Sequence, residues 1–171
     1  MYQLKYSIRN ATGSDLENVL ILNESVVPHV NSITLADMQD FLAKAAYFRV
    51  ACDRDDQVVA FLIGLDPDTE YHSLNFLWFC GHYKNFAYVD RIAVAPVARR
   101  QGVAEALYAD FAIVTRHWAQ YVCCEVNIRP ENPGSFEFHQ RLGFVQVGSL
   151  ESDDGTKKVA LLLKEIGLKQ F

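Results

Sequence analysis

The chain has 171 residues, of which 50% are hydrophobic and 12% aromatic, and a formal net charge of −5. This length suggests one domain over 1–171 with room to close a core, and the composition excludes a disordered chain. The acidic balance argues against general nucleic-acid or membrane-surface binding, both of which need a basic footprint. The N-terminal residues carry no apolar signal core, and no apolar run approaches the length of a membrane span, so a reducing, cytoplasmic setting is expected. The cysteines are Cys52, Cys80, Cys123 and Cys124. No pair has zinc-ligand spacing, so no metal is expected. Cys123 and Cys124 are neighbours in an apolar run and read as small buried hydrophobes on opposite faces of a strand.

In chain order, residues 6–9 read as a strand and 10–15 as a turn in which Ser14 or Asp15 caps a helix running to about Glu24. Leu16, Val19, Leu20 and Asn23 form its stripe. A second helix is expected over 34–44, with Leu35, Met38, Leu42 and Ala45 on one face. Strands at Tyr47–Cys52 and Val58–Leu65 flank a hairpin turn at 54–57. Residues 66–86 are expected to be irregular; a loop of that length either carries function or covers a small satellite core. A strand over 87–95 ends at Pro96, and a helix follows over 102–118 with a stripe of Val103, Leu107, Phe111, Val114 and Trp118. A strand at 121–127, a loop at 129–134 and a short helix at 135–142, stopped by Gly143, come next. Strands at 144–148 and 159–163, joined by a turn at 153–155, close the chain. No linker or repeat interrupts this order, which describes a single α+β domain with a mixed sheet.

The sequence between strand and long helix is Arg99-Arg100-Gln101-Gly102-Val103-Ala104. A helix start leaves backbone N–H groups unpaired and carries the positive end of the helix dipole, so it attracts anions. Gly102 and Ala104 let a phosphate approach the backbone, and the two arginines add charge beside it. A nucleoside-triphosphate loop needs more glycine followed by Lys and Ser or Thr, which are missing here. A dinucleotide site needs two or three glycines; Glu125 stands near the spacing of its acidic partner, but the glycines are absent. A coenzyme A diphosphate is the third candidate.

Arg99-x-x-Gly102-x-Ala104 after Ile92-Ala93-Val94-Ala95-Pro96, together with Asn132 and a short helix ending Arg141-Leu142-Gly143-Phe144, resembles the signature of the GNAT (Gcn5-related N-acetyltransferase) superfamily. The resemblance implies α/β/α layers around a mixed, mostly antiparallel sheet of about seven strands with about four helices. It implies acetyl-CoA as co-substrate. Backbone groups of Ile92, Ala93 and Val94 would pair with the pantetheine arm like an added strand. Backbone N–H groups of Arg100, Gln101, Gly102, Val103 and Ala104 would hold the diphosphate, with Arg99 beside them. Asn132 would contact the pantetheine or steady its loop, and Ser135 and Phe138 would line the adenine side or the thioester end. Dimers are common in the family, so a homodimer fits.

An amine attacking a thioester must lose a proton, and the leaving thiolate gains one. Asp90 and Glu125 are the candidate bases. Cys123, Glu125 and Asn127 share a strand face, which suggests a polar cleft lining with Asn127 near the acceptor. Glu125 is either a base, as at this place in several family members, or an ordinary surface glutamate. Asp90 orients substrate or pairs with Arg91. Where many family members carry a tyrosine that protonates the thiolate, this chain has His139, either a replacement acid or a core histidine bonded to backbone. By the resemblance, Glu24 and the aromatic Tyr71 and Trp78 would border the acceptor site and attract or pack a cationic amine. The expected activity is transfer of an acetyl group directly to a primary amine of a small molecule or peptide. The alternative is an acetyl-CoA or coenzyme A sensor, or a catalytically inactive binding module of this fold.

Overall fold

The structure is a computed structural model that describes residues 5–152 and 154–167. Seven strands, β1 (Ser7–Asn10), β2 (Tyr47–Cys52), β3 (Val58–Leu65), β4 (Phe86–Val94), β5 (Tyr121–Arg129), β6 (Val145–Glu151) and β7 (Lys158–Glu165), make one sheet in the order β1-β2-β3-β4-β5-β7-β6. The pairs β1–β2, β2–β3, β5–β7 and β6–β7 are antiparallel, and β4–β5 is parallel. The α-helices are α1 (Leu16–Glu24), α2 (Leu35–Lys44), α3 (Leu74–His82), α4 (Val103–Thr115) and α5 (Pro133–Arg141). The mixed, mostly antiparallel seven-stranded sheet is the one expected; among the described residues the α-helices number five instead of about four. The extra helix is α3, inside the stretch expected to be irregular. Its sequence, LNFLWFCGH, is apolar nearly all round, so it lacks the polar-to-apolar alternation that marks a surface helix.

Two compact units make up the chain: the residues up to Leu65 with Arg91–Phe111, and Asp66–Asp90 with the residues from Ala112 on. In the first unit, β2 and β3 are buried along nearly their whole length, as their continuous apolar sequences require. Val50, Phe61, Leu62 and Ile63 form this core with Val19, Met38, Leu107 and Phe111 from the helices. A Cβ at Gly64 would collide with the Phe111 ring, so glycine is what lets α4 approach β3. Asp110 on α4 accepts from the Tyr47 hydroxyl at 2.7 Å and from Arg49 at 2.9 Å, tying α4 to β2.

Asp15 stands at the N-cap of α1, after a single 3-10 turn over Gly13–Asp15. Its carboxylate accepts from the Thr12 N–H at 2.8 Å and from Arg9 at 2.8 Å. The Arg9 contact outweighs the opposing effect of burial and holds its pKa down at about 2. Thr34 caps α2 by accepting from the Asp37 N–H at 3.2 Å.

The second unit holds β5, β7 and β6 with α3 and α5. Cys123 and Cys124 are buried, at 0% and 3% exposure, as their reading as small hydrophobes requires. The turn expected at 153–155 includes Asp153, which lies outside the described residues; Gly155 sits in the left-handed region at φ 68°.

Candidate active site

In the first unit, β4 ends at Val94, a single 3-10 turn spans Pro96–Ala98, and α4 starts at Val103. Pro96 fixes the start of that turn, and the Ala95 N–H donates to the Val59 carbonyl at 2.8 Å. Arg100 and Gly102 both adopt left-handed backbone, at φ 58° and 79°. Alternating handedness of this kind turns successive N–H groups towards one point, a nest that binds an anion at the helix start. Arg99 folds back so that Nε donates to the Val94 carbonyl at 3.1 Å, and Gln101 Nε2 donates to the Val97 carbonyl at 2.7 Å. The Tyr6 hydroxyl donates to Gln101 Oε1 at 2.9 Å. These side chains brace the turn while Arg99, Arg100, Gln101 and Gly102 stay exposed. Val103 is buried as the first residue of the α4 stripe, and Ala104, Ile92 and Val94 are half-buried.

Also in this unit, Arg91 is 6% exposed. Its guanidinium donates to Asn23 Oδ1 at 3.0 Å and to the Asn31 carbonyl at 3.1 Å. Glu24 accepts from Ser32 Oγ at 2.7 Å, the Ile33 N–H at 3.1 Å and Asn23 Nδ2 at 3.0 Å. Those three hydrogen bonds, Ser32 foremost, lower its pKa. The carboxylate is thus engaged in latching the loop between α1 and α2.

In the second unit, Phe86, Tyr88 and Asp90 alternate onto one face of β4. Parallel pairing of Phe86 with Tyr121 and Tyr88 with Cys123 puts Cys123, Glu125 and Asn127 on that same face. Glu125 and Asp90 are half-buried and Asn127 is buried. Tyr88, at 0% exposure, donates its hydroxyl to Glu125 Oε2 at 2.6 Å. Burial, reinforced by the charges of Glu125 and Asp90, pushes the Tyr88 phenol well above its ordinary pKa. It is therefore a permanent donor, and Glu125 is held as the acceptor. Tyr88 was not among the expected site residues. Its only sequence signal is shared parity with Asp90, and its pairing with β5 is set by a parallel register that local patterning does not encode.

Asn132 is the N-cap of α5: its Oδ1 accepts from the Ser135 N–H at 3.3 Å. His139, 4% exposed, directs Nδ1 at the Ser135 carbonyl at 2.7 Å, one helical turn back. A carbonyl only accepts, so Nδ1 carries the proton. Phe138 and Phe144 meet the imidazole edge-on at 5.2 and 5.3 Å, and burial lowers its pKa. The ring is neutral near pH 7, in the setting of a core histidine bonded to backbone.

Trp78 lies against Gly148 and stacks on His82 at 3.8 Å, while Tyr71 is half-buried and meets Phe76 edge-on at 5.7 Å. Burial raises the Cys123 thiol pKa, which makes it a poor nucleophile. Among the described residues no group of three or more His, Cys, Asp or Glu could hold a metal ion, and no helix is long and apolar enough to cross a membrane.

The chain belongs to the acetyltransferase (GNAT) family, whose model matches residues 18–144. A search of curated protein sequences gives no significant match. Among solved structures, Ard1 from Thermoplasma volcanium is 21% identical with a TM-score of 0.77, covering 96% of this chain and 99% of its own. Chaetomium thermophilum Naa20, solved in complex with a bisubstrate analogue, is 19% identical with a TM-score of 0.74, covering 93% and 86%. The phosphinothricin acetyltransferase of Sinorhizobium meliloti, solved with AcCoA, is 17% identical with a TM-score of 0.71, covering 95% and 89%. At such identities the likeness is one of fold.

Proposed function

We propose that the chain is an N-acetyltransferase that moves the acetyl group of acetyl-CoA directly to a primary amine of a small molecule or peptide. The observation that carries this is the turn opening α4, where left-handed Arg100 and Gly102 form an anion nest with exposed Arg99 beside it. That nest suits a diphosphate, and the backbone of Ile92, Ala93 and Val94 suits the amide groups of a pantetheine arm. Among the solved relatives of this fold, one binds AcCoA, which supports the same cofactor here.

Glu125 is the proposed base. It takes a proton from the substrate ammonium, directly or through a water, which frees the amine lone pair; the nitrogen then bonds to the acetyl carbon, the carbon–sulfur bond breaks, and the second proton that the nitrogen sheds passes to water, balancing the one the thiolate gains. Tyr88 positions it. Asp90 shares its face and is suited to orient the cation. Asn132, Ser135 and Phe138 support the cofactor side by ordering the start of α5. Asn127 and Tyr71 are the proposed acceptor contacts. Trp78 and Glu24 act indirectly, as packing and as a loop latch. A neutral His139 bonded to Ser135 leaves the thiolate to take its proton from water. The same burial of His139 favours one second reading, a coenzyme A-binding module without turnover.

The test is a melting curve with acetyl-CoA followed by thiol release on a panel of primary amines. At 100 times the Kd, a ligand stabilises by about 2.7 kcal/mol, a rise of several degrees for a chain of this size. A rise in melting temperature with turnover supports the enzyme; a rise with no turnover on any amine supports the binding module; no rise overturns both.

A further inference from the structure

We propose that residues 66–85, between β3 and β4, select the acceptor, and that they fit the site to a compact primary amine on an aryl or alkyl body. An extended polypeptide N-terminus is disfavoured. The inference rests on the acetyltransferase reading above and assigns its substrate class.

The pairing of β5 with β7 and of β7 with β6 places Glu125, Leu161 and Gly148 in line across the sheet. The face that carries Glu125 therefore also carries Gly148. Rings from residues 66–85 lie over that face from one side to the other. Phe76 packs on Phe86 at 6.1 Å and on Tyr88 at 5.3 Å, and Phe79 packs on Tyr88 at 5.9 Å. Tyr83 meets Tyr121 at 5.4 Å. Trp78 lies so close over Gly148 that a Cβ there would stand 2.8 Å from its ring. The roof is pinned at this end, because His82 stacks on Trp78 and bonds the Trp78 carbonyl through Nδ1 at 2.7 Å.

An extended peptide needs a length of open sheet face or groove to lie along. The α3 roof takes that length on the face of Glu125. Phe76 and Phe79 are buried, at 1% and 0% exposure, and so are unavailable to a ligand. Tyr71 marks the edge of the roof. It is half-buried and its ring meets Phe76, which packs on Tyr88, the residue that holds Glu125. The half-buried Tyr71 ring is thus joined through Phe76 and Tyr88 to the face that carries two half-buried carboxylates, Asp90 and Glu125. A primary ammonium suits the carboxylates, and an apolar body attached to it suits the ring.

The experiment compares kcat/KM of the full chain, with saturating acetyl-CoA, for phenethylamine, tyramine and hexylamine against spermidine and tetrapeptides beginning with Ala, Ser or Met. The best compact amine is expected to exceed the best peptide and spermidine by at least about tenfold, a 1.4 kcal/mol preference. Tyr71→Ala raises the KM for that amine about tenfold and leaves the KM for acetyl-CoA unchanged, while Tyr71→Phe, which keeps the ring, stays near the parent value. If the alanine variant melts early, Tyr71→Leu keeps apolar bulk against Phe76 without the ring and serves the same comparison. Preference for a peptide or spermidine, or an acceptor KM indifferent to loss of the ring, overturns the inference and leaves the acetyltransferase reading standing. Turnover of no amine overturns both.

Discussion

Tyr88 on β4 donates its hydroxyl hydrogen to Oε2 of Glu125 on β5 across 2.6 Å. The phenol is wholly buried and its pKa lies well above the ordinary value, chiefly through desolvation. The direction of the hydrogen bond is thereby fixed: tyrosine gives and the carboxylate receives. A carboxylate held this way keeps one orientation and retains acceptor capacity for a second proton donor such as an ammonium or a bound water.

On this geometry, Glu125→Gln is expected to lower kcat by about 10²–10³-fold, the range of a lost general base, with the KM for acetyl-CoA unchanged. Tyr88→Phe removes only the positioning bond and is expected to cost about tenfold in kcat and about 1 kcal/mol in stability. The double variant should be no slower than Glu125→Gln alone, because Tyr88 acts through the carboxylate. Steady-state thiol release on all three variants checks this; multiplicative losses would mean that the two residues act separately.

The turn that opens α4 makes a prediction with opposite signs. Gly102 sits at φ 79°, so Gly102→Ala places a Cβ in the left-handed region at a cost of about 1–2 kcal/mol, although the space around it is open. Arg100, at φ 58°, already bears that strain. Arg100→Gly is therefore expected to hold or raise the melting temperature, whereas Gly102→Ala lowers it by a few degrees. Both should weaken acetyl-CoA binding, the first by removing charge and the second by distorting the nest. Paired melting and calorimetric titrations read the two effects. An Arg100→Gly variant with full affinity would take the arginine out of the site.

How far the sequence reaches can be judged from these same residues. The bounds of β2 and β3 are legible because continuous apolar runs closed by turn residues have few alternatives. Glu125 is legible because alternation places it with Cys123 and Asn127 whatever the strand pairs with. Tyr88 is not, since its partner is set by a parallel register that brings Tyr121 opposite Phe86 and Cys123 opposite Tyr88, and nothing local encodes that. Helix α3 is hidden because it is apolar on all sides. Glu24 reads from sequence as an acidic attractor for an amine, but loop hydrogen bonds, invisible to composition, engage it instead.

That engagement yields a further prediction. Glu24→Ala removes the acceptor for Ser32 and the Ile33 N–H and is expected to speed amide exchange at Ile33 and its loop neighbours, with exchange in the β2 and β3 core unchanged. Because hydrogen bonding lowers the Glu24 pKa, its stabilising contribution is present above the unfolded carboxylate value and is lost as pH falls through the folded one. The parent protein should therefore show the same loosening of the loop in acid. Unchanged exchange at Ile33 in Glu24→Ala would mean that the latch does not hold the loop.

His139 gives the pH prediction at higher pH. Burial lowers its folded pKa, with the Ser135 carbonyl acting in the opposite direction, while the unfolded chain keeps an ordinary value of about 6.5. Below that value the unfolded state takes up a proton that the folded state refuses, so stability falls as pH falls and is restored on returning to neutrality. The window is distinct from that of Asp15, whose folded pKa of about 2 confines its effect to more acidic pH, below about 5. Melting temperature is accordingly expected to fall between about pH 7.5 and 5.5 in the parent and to fall less in His139→Gln, which keeps a donor for Ser135 but does not titrate. Parallel curves for parent and variant would show that folding does not lower the His139 pKa, and would return it to candidacy as the acid that protonates the thiolate.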